Sequence, residues 1–211
     1  MGIEQAWLIP TYGFLAFGII AMFGRFLPFP AKYLSVLAIA LGFITFWPVL
    51  LDFVSRGVAW YIVPRVWFTA GDLTVGSGMI IDSLTIVMLA MITFVAMLIQ
   101  IYSIGYMRHG HGEHAVDDPN INWYFAVHSL FVASMLTLVL ADNLLVLYVA
   151  WELVGLCSYL LIGFWWKRKS AVNAAKKAFI TTRIGDVGLL IGILMLASET
   201  GTFNITQILG L

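Results

Sequence analysis

The stretch Leu145–Trp165 reads LVLYVAWELVGLCSYLLIGFW, and it decides the fold class of the chain. Its apolar residues continue over the roughly 20 positions that a membrane-spanning helix needs. Glu152 lies about nine residues past Asn143, which is roughly 13 Å along a helix and near the middle of a hydrocarbon layer about 30 Å thick. An ionised acid at that depth costs at least about 2.5–3.5 kcal/mol to insert, so Glu152 is predicted to handle ions or protons.

The composition indicates a membrane protein throughout. Hydrophobic residues make up 62% of the 211 residues and charged residues only 10%, whereas soluble domains carry about 25% charged residues. The formal net charge is zero, and the sequence has no basic patch that would favour a nucleic-acid partner. A single cysteine, Cys157, excludes a disulfide within the chain and a cysteine-ligated iron–sulfur cluster.

Six apolar stretches have the length of a spanning helix. A globular helical core is excluded because too few charged residues remain for its surface, and a β-barrel is excluded because the apolar runs are continuous. The sequence therefore predicts an all-α membrane protein with about six transmembrane helices. The predicted spans are Trp7–Leu27, Tyr33–Phe53, Leu84–Ile104, Trp123–Ala141, Leu144–Trp166 and Ala171–Ala197.

The cations between these spans predict the orientation, because positive residues favour the cytoplasmic side. The even connections carry only Arg56 and Arg65. The odd connections carry the other six, which are Arg25, Lys32, Arg108, Lys167, Arg168 and Lys169. The odd connections are therefore expected in the cytoplasm and the N-terminus outside.

The connection Val58–Ile81, between the second and third spans, is predicted to form an external β-hairpin. Two short runs, Arg65–Thr69 and Leu73–Gly76, flank the turn residues Gly71 and Asp72. A clasp for a neighbouring subunit and an ordinary ordered loop are both open interpretations. Asp82 is expected to cap the third span.

Histidines and acids cluster in the connection between the third and fourth spans. H-x-H-x-x-H could hold a metal ion. The glycine-rich setting and Pro119 instead favour a solvated loop, so no metal site is predicted. No nucleotide-binding motif is present either. The clustered residues are His109, His111, His114, Glu113, Asp117 and Asp118.

The sixth span is the second polar helix. Helical spacing places Lys176, Arg183 and Asp186 within about 60° on one face. Arg183 and Asp186 can pair, which lowers the desolvation cost of both. The pair could serve transport or could simply lock two helices together. Lys177 points about 100° away from Lys176, and both lysines could instead extend toward the membrane surface.

Two long motifs resemble a known family. WELVGLCSYLLIGFW (Trp151–Trp165) and KAFITTRIGD (Lys177–Asp186) closely resemble the NuoL/NdhF-type antiporter-like, proton-pumping membrane subunit of respiratory complex I. Shorter matches are AWLIP (Ala6–Pro10), YSIGYM (Tyr102–Met107) and LADNLLVLY (Leu140–Tyr148). The resemblance implies that residues 1–211 are the N-terminal part of a single antiporter-like transmembrane domain, with an incomplete inverted-repeat fold.

The resemblance also implies residue roles. Glu152 matches the glutamate of the fifth helix, which controls the charge state of the proton channel. Lys177 matches a lysine that precedes the R-x-G-D motif. Arg183 and Asp186 match that motif, which lies along the side of the channel that faces the next subunit. Lys176 stands where close relatives often have an uncharged residue, so it is the weakest candidate.

One element of the family pattern lies beyond these residues. The central lysine that pairs with the fifth-helix glutamate is on the helix that would follow Leu211. Glu152 is therefore expected to lack a full salt-bridge partner among these 211 residues, and to find one in the rest of the subunit.

The function implied is proton translocation within an NADH (or ferredoxin):quinone oxidoreductase. The chain would be a subunit of this translocase without redox chemistry of its own. NADH, flavin, iron–sulfur clusters and quinone would belong to partner subunits. The partners expected are adjacent antiporter-like subunits and the lipid of an energy-transducing membrane, the bacterial inner membrane in the first instance.

Two alternatives remain. The large subunit of a multisubunit Na⁺/H⁺ antiporter shares the glutamate helix, but the G-L-C-S and R-I-G-D segments are of the complex I type. A purely structural membrane scaffold would tolerate glutamine at Glu152, whereas a transport protein would not.

Overall fold

Long helices dominate the computed structural model, which describes residues 2–24, 26, 30–70, 73–109 and 116–210. Within this described part, six helices are long and apolar enough to cross a membrane. The chain is therefore a multi-pass membrane protein, and the predicted fold class is confirmed. The helices are α1 (Leu8–Phe23), α2 (Ala31–Arg56), α3 (Ser83–Tyr106), α4 (Ile121–Leu140), α5 (Leu144–Ile162), α6 (Lys169–Thr200) and the short α7 (Ile205–Leu209).

The ends of the helices differ from the predicted ends where polar side chains satisfy the backbone locally. Helix α6 continues to Thr200, three residues past the predicted end, and the Ser198 and Thr200 hydroxyls donate to carbonyls of its last turn. Gly201 then stops it in the left-handed conformation, at φ 72°. Helix α7 was not predicted. Asn204 caps it by accepting hydrogen bonds from the Thr206 and Gln207 amides.

The chain divides into two compact units. The first unit comprises residues 1–56 and 88–133, and the second comprises residues 57–87 and 134–211. The prediction that residues 1–211 belong to one antiporter-like domain remains a prediction.

In the first unit, helices α1 and α2 pack together around Ile20 and Ala31, which Ala126 of α4 also contacts. A β-carbon at Gly13 would lie 2.9 Å from the Ala133 β-carbon, so this glycine lets α1 approach α4 closely. Asp52, near the end of α2, accepts a hydrogen bond from the Ile3 amide. The helical turn before α1 is thereby tied to α2.

The predicted hairpin is present in the second unit and is longer than predicted. Strands β2 (Val66–Ala70) and β3 (Leu73–Gly76) pair antiparallel, and β1 (Trp60–Val63) pairs with β4 (Met79–Asp82) to extend the ladder. The turn residues Gly71 and Asp72 lie outside the described residues. The predicted cap of α3 is confirmed, since Asp82 Oδ1 accepts a hydrogen bond of 2.7 Å from the Thr85 amide.

The histidine-rich connection is only partly described. Strands β5 (Arg108–His109) and β6 (Val116–Asp117) pair antiparallel at its two ends. His111, Glu113 and His114 lie outside the described residues, as do the side chains of His109 and Asp117. No cluster of potential metal ligands is found in the rest of the chain that the structure describes.

The corner between α4 and α5 organises the second unit. The Asp142 carboxylate is buried and accepts a hydrogen bond from the Gly78 amide, while the Asp142 carbonyl accepts one from the Ile205 amide. Asn143 caps α5 by accepting from the Leu145 amide at 2.8 Å. The corner thus joins three segments, namely the strand hairpin, α5 and α7. A β-carbon at Gly78 would lie 2.5 Å from the Val63 carbonyl oxygen, so only glycine fits there.

The pH dependence of this corner follows from Asp142. Burial raises the pKa of the Asp142 carboxyl above its ordinary 3.8, although the hydrogen bonds to the carboxylate oppose the shift. A raised native pKa contributes stability that is complete below the unfolded pKa and is lost as the pH rises through the native pKa. We therefore expect the Leu144 and Ile205 amides to exchange hydrogen faster as the pH rises from 3.8 through the native value. Exchange rates would be corrected for the intrinsic effect of pH.

The matched variant is Asp142→Asn, which keeps the size of the side chain but cannot titrate. Its corrected exchange rates at these amides should no longer change across this pH range. An unchanged pH dependence in Asp142→Asn would contradict the assignment of the effect to this carboxyl.

Candidate functional site

The candidate site lies between α5 and α6 of the second unit, far from the helix ends. Eight residues of the 19-residue helix α5 precede Glu152 and ten follow it. Arg183 and Asp186 lie similarly deep in the 32-residue helix α6. A rise of about 1.5 Å per residue places Glu152 about 12 Å from the start of α5, as the sequence predicts.

Arg183 links two acids. Its guanidinium contacts the Glu152 carboxylate directly, and its Nη1 atom lies 3.6 Å from Oδ2 of Asp186. The expectation that Glu152 lacks a salt-bridge partner among these residues is therefore wrong. Helical spacing predicts ion pairs along one helix, whereas this contact depends on how α5 packs against α6. The predicted Arg183–Asp186 proximity is found.

Trp151 is a member of the site that the sequence analysis missed. Its indole N–H donates a hydrogen bond of 2.8 Å to Asp186 Oδ1, and Asp186 is only 5% exposed. The signal was available, because an indole donor next to a buried acid in an apolar helix needs a partner. Each of the two acids therefore has a polar contact with the neighbouring helix.

An aromatic ring covers the remaining face of the cation. The guanidinium carbon of Arg183 lies 4.4 Å from the centre of the Phe179 ring, one turn earlier on α6. The ring of Tyr159 on α5 lies 5.1 Å from that of Phe179. Such a cation–π contact stabilises a positive charge that has lost its water. It holds Arg183 where both acids can reach it.

The charge of this network decides its chemistry. Arginine stays protonated in proteins, so Arg183 is a fixed positive charge. When both acids are ionised, the formal charges sum to minus one. The network therefore carries one more formal negative charge than positive charge.

The two lysines lie apart from this network. Lys176 and Lys177 are exposed, about two helical turns before Arg183 on α6. The structure shows no ion pair for either of them within the described residues. Of the five predicted site residues, the structure brings three together and leaves the two lysines outside.

Two family models match the chain over separate ranges. Residues 141–211 match the model described as NADH:quinone oxidoreductase/Mrp antiporter, TM. Residues 67–125 match the model described as NADH-Ubiquinone oxidoreductase (complex I), chain 5 N-terminus. The first range contains the whole ion network. The chain belongs to the complex I antiporter-like family.

Relatives in this family include named oxidoreductase subunits. The chain is 45% identical, over 93% of its length, to F(420)H(2) dehydrogenase subunit L of Methanosarcina mazei. It is 48% identical, over 71% of its length, to NAD(P)H-quinone oxidoreductase chain 5 of Synechocystis sp.. It is 40% identical, over 97% of its length, to the chloroplastic subunit 5 of Adiantum capillus-veneris. The matched region spans 27%, 21% and 28% of these three relatives, respectively.

A solved structure supports the antiporter-like fold. The structure of the Mrp complex from Dietzia sp. DQ12-45-1b matches 97% of the chain with a TM-score of 0.73, and the match covers 20% of that chain. The sequence identity is 23%, so this likeness concerns the fold alone.

The hydrogen bond from Trp151 to Asp186 can be tested by Trp151→Phe. This change removes the indole N–H but keeps an aromatic ring, so Asp186 loses one of its two polar contacts. Loss of a hydrogen bond to a charged group costs about 1.5–3 kcal/mol. We expect a lower midpoint of thermal unfolding for the full-length protein in detergent.

The matched control is Trp166→Phe, because Trp166 is 64% exposed. It should leave the midpoint nearly unchanged. Equal shifts for the two variants would show that the hydrogen bond contributes nothing beyond the general effect of replacing tryptophan.

Proposed function

We propose that this chain is the N-terminal part of a proton-translocating membrane subunit of a complex I-type quinone oxidoreductase. The single observation that carries the proposal is the Glu152–Arg183–Asp186 network at mid-helix. Two acids and a permanent cation at that depth are costly to bury and would be replaced by apolar residues in a passive helix pair. Family membership supports the same conclusion.

The proposed mechanism is electrostatic. Arg183 is shared between two acids, so a stronger interaction with Glu152 weakens the interaction with Asp186, and the reverse also holds. A change of charge in a neighbouring subunit would shift this balance and with it the acid that holds the proton. Moving one charge against about 100 mV requires about 2.3 kcal/mol, and ion-pair rearrangement in a low-dielectric interior reaches energies of that size.

The remaining parts of the proton path belong to other segments and subunits. The lysine expected to pair with Glu152 would lie on a following helix. Lys177, and less directly Lys176, would act as further cations beside the path, since their exposure leaves them available to segments that pack on α6. The hairpin between α2 and α3 would lie on the external face.

The redox chemistry belongs to partners in this proposal. NADH or ferredoxin would supply electrons through flavin and iron–sulfur clusters to quinone, all held by other subunits. The chain would lie in the bacterial inner membrane beside other antiporter-like subunits.

The proposal is tested by Glu152→Gln in the assembled complex. Glutamine keeps the side-chain shape and hydrogen-bonding capacity but neither titrates nor attracts Arg183 as an anion. We expect proton translocation in sealed vesicles to be strongly reduced or lost while the complex still assembles. Translocation would be followed with a pH-sensitive dye, and assembly by native gel electrophoresis.

The matched control is Glu199→Gln, an exposed acid near the end of α6. It should translocate protons at the normal rate. Normal translocation by Glu152→Gln would favour the structural scaffold. Translocation that requires Na⁺ in the unmodified complex would favour the Na⁺/H⁺ antiporter.

Exchanging the charges of Arg183 and Asp186 distinguishes an isolated ion pair from the three-membered network. If Arg183 and Asp186 formed an isolated pair, Arg183→Asp combined with Asp186→Arg would restore the ion pair. In the observed network, the exchange places the new aspartate against Glu152, where two like charges repel. We therefore expect the double variant to remain impaired in proton translocation. Recovery to the unmodified rate would contradict the three-membered network.

A further inference from the structure

A second polar cluster lies in the first unit, away from the residues used so far. Four side chains from α2, α3 and α4 meet in an otherwise apolar interior. Ser35, Gln100 and Ser129 are 0% exposed, and His128 is 7% exposed. Buried polar side chains in membrane helices are costly unless they are paired, so this cluster requires an explanation.

Hydrogen bonds join all four side chains of the cluster. Gln100 Nε2 donates to Ser35 Oγ at 2.8 Å and lies 3.0 Å from His128 Nδ1. Ser129 donates to the Phe125 carbonyl at 2.9 Å, and the Ser35 hydroxyl lies within hydrogen-bond distance of both that carbonyl and Ser129 Oγ. Gln100 Nε2 thus supplies both of its hydrogens, one to Ser35 and one to His128.

This arrangement specifies the state of the histidine. In this orientation of the Gln100 amide, its N–H needs a lone pair on His128 Nδ1, which a neutral ring with its hydrogen on Nε2 provides. At the same time, Gln100 Oε1 is buried without a hydrogen-bond partner among the described residues. A buried acceptor without a donor destabilises the folded state. The cluster therefore contains one unused acceptor and lacks one donor.

We propose that His128 is a proton-binding site whose occupancy is coupled to reversal of the Gln100 amide. A proton from water forms an N–H bond at Nδ1, the ring becomes a cation, and no electrons are transferred. That N–H cannot face the amide N–H₂ of Gln100. Rotation of the amide by half a turn presents Oε1 to this N–H and to the Ser35 hydroxyl, which then donates instead of accepting, while Nε2 takes the position that Oε1 leaves.

The structure indicates from which side the proton would arrive. The Tyr124 hydroxyl lies 3.0 Å from Ser103 Oγ, one turn from the central pair on both helices. Ser103 itself donates to the Ile99 carbonyl, so Tyr124 is the donor in that contact. His128 is seven residues from the start of α4, which corresponds to about 10 Å. The site would therefore exchange protons with the connection between α3 and α4.

The groups around His128 make its protonated state short-lived. Helix α3 presents only the uncharged Gln100 and Ser103 to this region, and α4 presents the phenol of Tyr124, whose ring centre lies 6.1 Å from that of His128. Helix α2 carries Lys32, a buried cation one turn before Ser35. None of the contacts of His128 within the described residues is with a carboxylate. A cation there has no counter-ion, so it should form transiently and release its proton readily.

This proposal concerns residues outside the Glu152 network and can be tested apart from it. Infrared difference spectra of the purified assembled complex would be recorded while the pH is lowered from about 8 toward the acid limit at which the complex unfolds. His128→Gln retains an acceptor but cannot bind a proton, and Gln100→Leu removes the reversing amide. Gln5→Leu, at an exposed position before α1, is the matched control.

The expected result is a neutral imidazole band that converts to the imidazolium form together with a shifted glutamine carbonyl band. Both signals should be present in the unmodified complex and in Gln5→Leu, and absent in His128→Gln. Gln100→Leu should move the imidazole transition to lower pH, because the acceptor for Nδ1–H is lost. An imidazole band that stays neutral down to the unfolding limit, or that persists in His128→Gln, would overturn the proposal.

Vesicle assays separate this proposal from the proposed function. We expect His128→Gln to slow proton translocation severalfold and Gln5→Leu to leave it unchanged. If Glu152→Gln translocates normally while the infrared transition of His128 is observed, the proposed function fails and the proton-binding site stands. If Glu152→Gln stops translocation while His128→Gln is normal in both assays, the site proposed here is wrong.

Discussion

An arginine held between two acids is the constraint on which the second unit depends. A charge at mid-membrane depth cannot be left without a partner, and a pair of opposite charges still loses its water at considerable cost. Arg183 meets this constraint with Glu152 on the neighbouring helix and Asp186 on its own helix, and both acids lie beside the same guanidinium nitrogen. Trp151 and Phe179 complete the site. The Trp151 indole donates a hydrogen bond to Asp186, and the Phe179 ring packs against the guanidinium of Arg183.

The same requirement explains the irregular backbone of the second unit. Wherever the chain leaves a helix, free N–H and C=O groups need partners. The Asp142 corner supplies them from three sequence segments at once, through its carboxylate, its carbonyl and the neighbouring Asn143 cap. Burying a carboxylate costs free energy because the group loses its water, yet its hydrogen bonds join segments that are far apart in the sequence. Gly78 is needed because a β-carbon there would overlap the Asp142 carboxylate and the Val63 carbonyl oxygen.

Local features were predictable from the sequence, and features that join distant segments were not. The six spans, the Asp82 cap and the depth of Glu152 follow from continuous runs of apolar residues and from one adjacent polar residue. The Arg183–Glu152 contact depends on the rotation of α5 against α6, which helical periodicity in a single helix does not specify. Helical spacing also grouped Lys176 with Arg183, but packing gave partners to the arginine alone. Helix α7 is too short to carry a periodic signal.

The Glu152 network and the His128 cluster stabilise their buried polar side chains in different ways. This difference affects how each would respond to a proton. The Glu152 network contains a permanent cation and two acids, so in the proposed mechanism a proton changes its formal charge from minus one to zero. The His128 cluster contains no acid, so its charge alternates between zero and plus one, and the compensation must come from an amide dipole. In the two proposals, a proton therefore removes net charge from the Glu152 network and adds net charge to the His128 cluster.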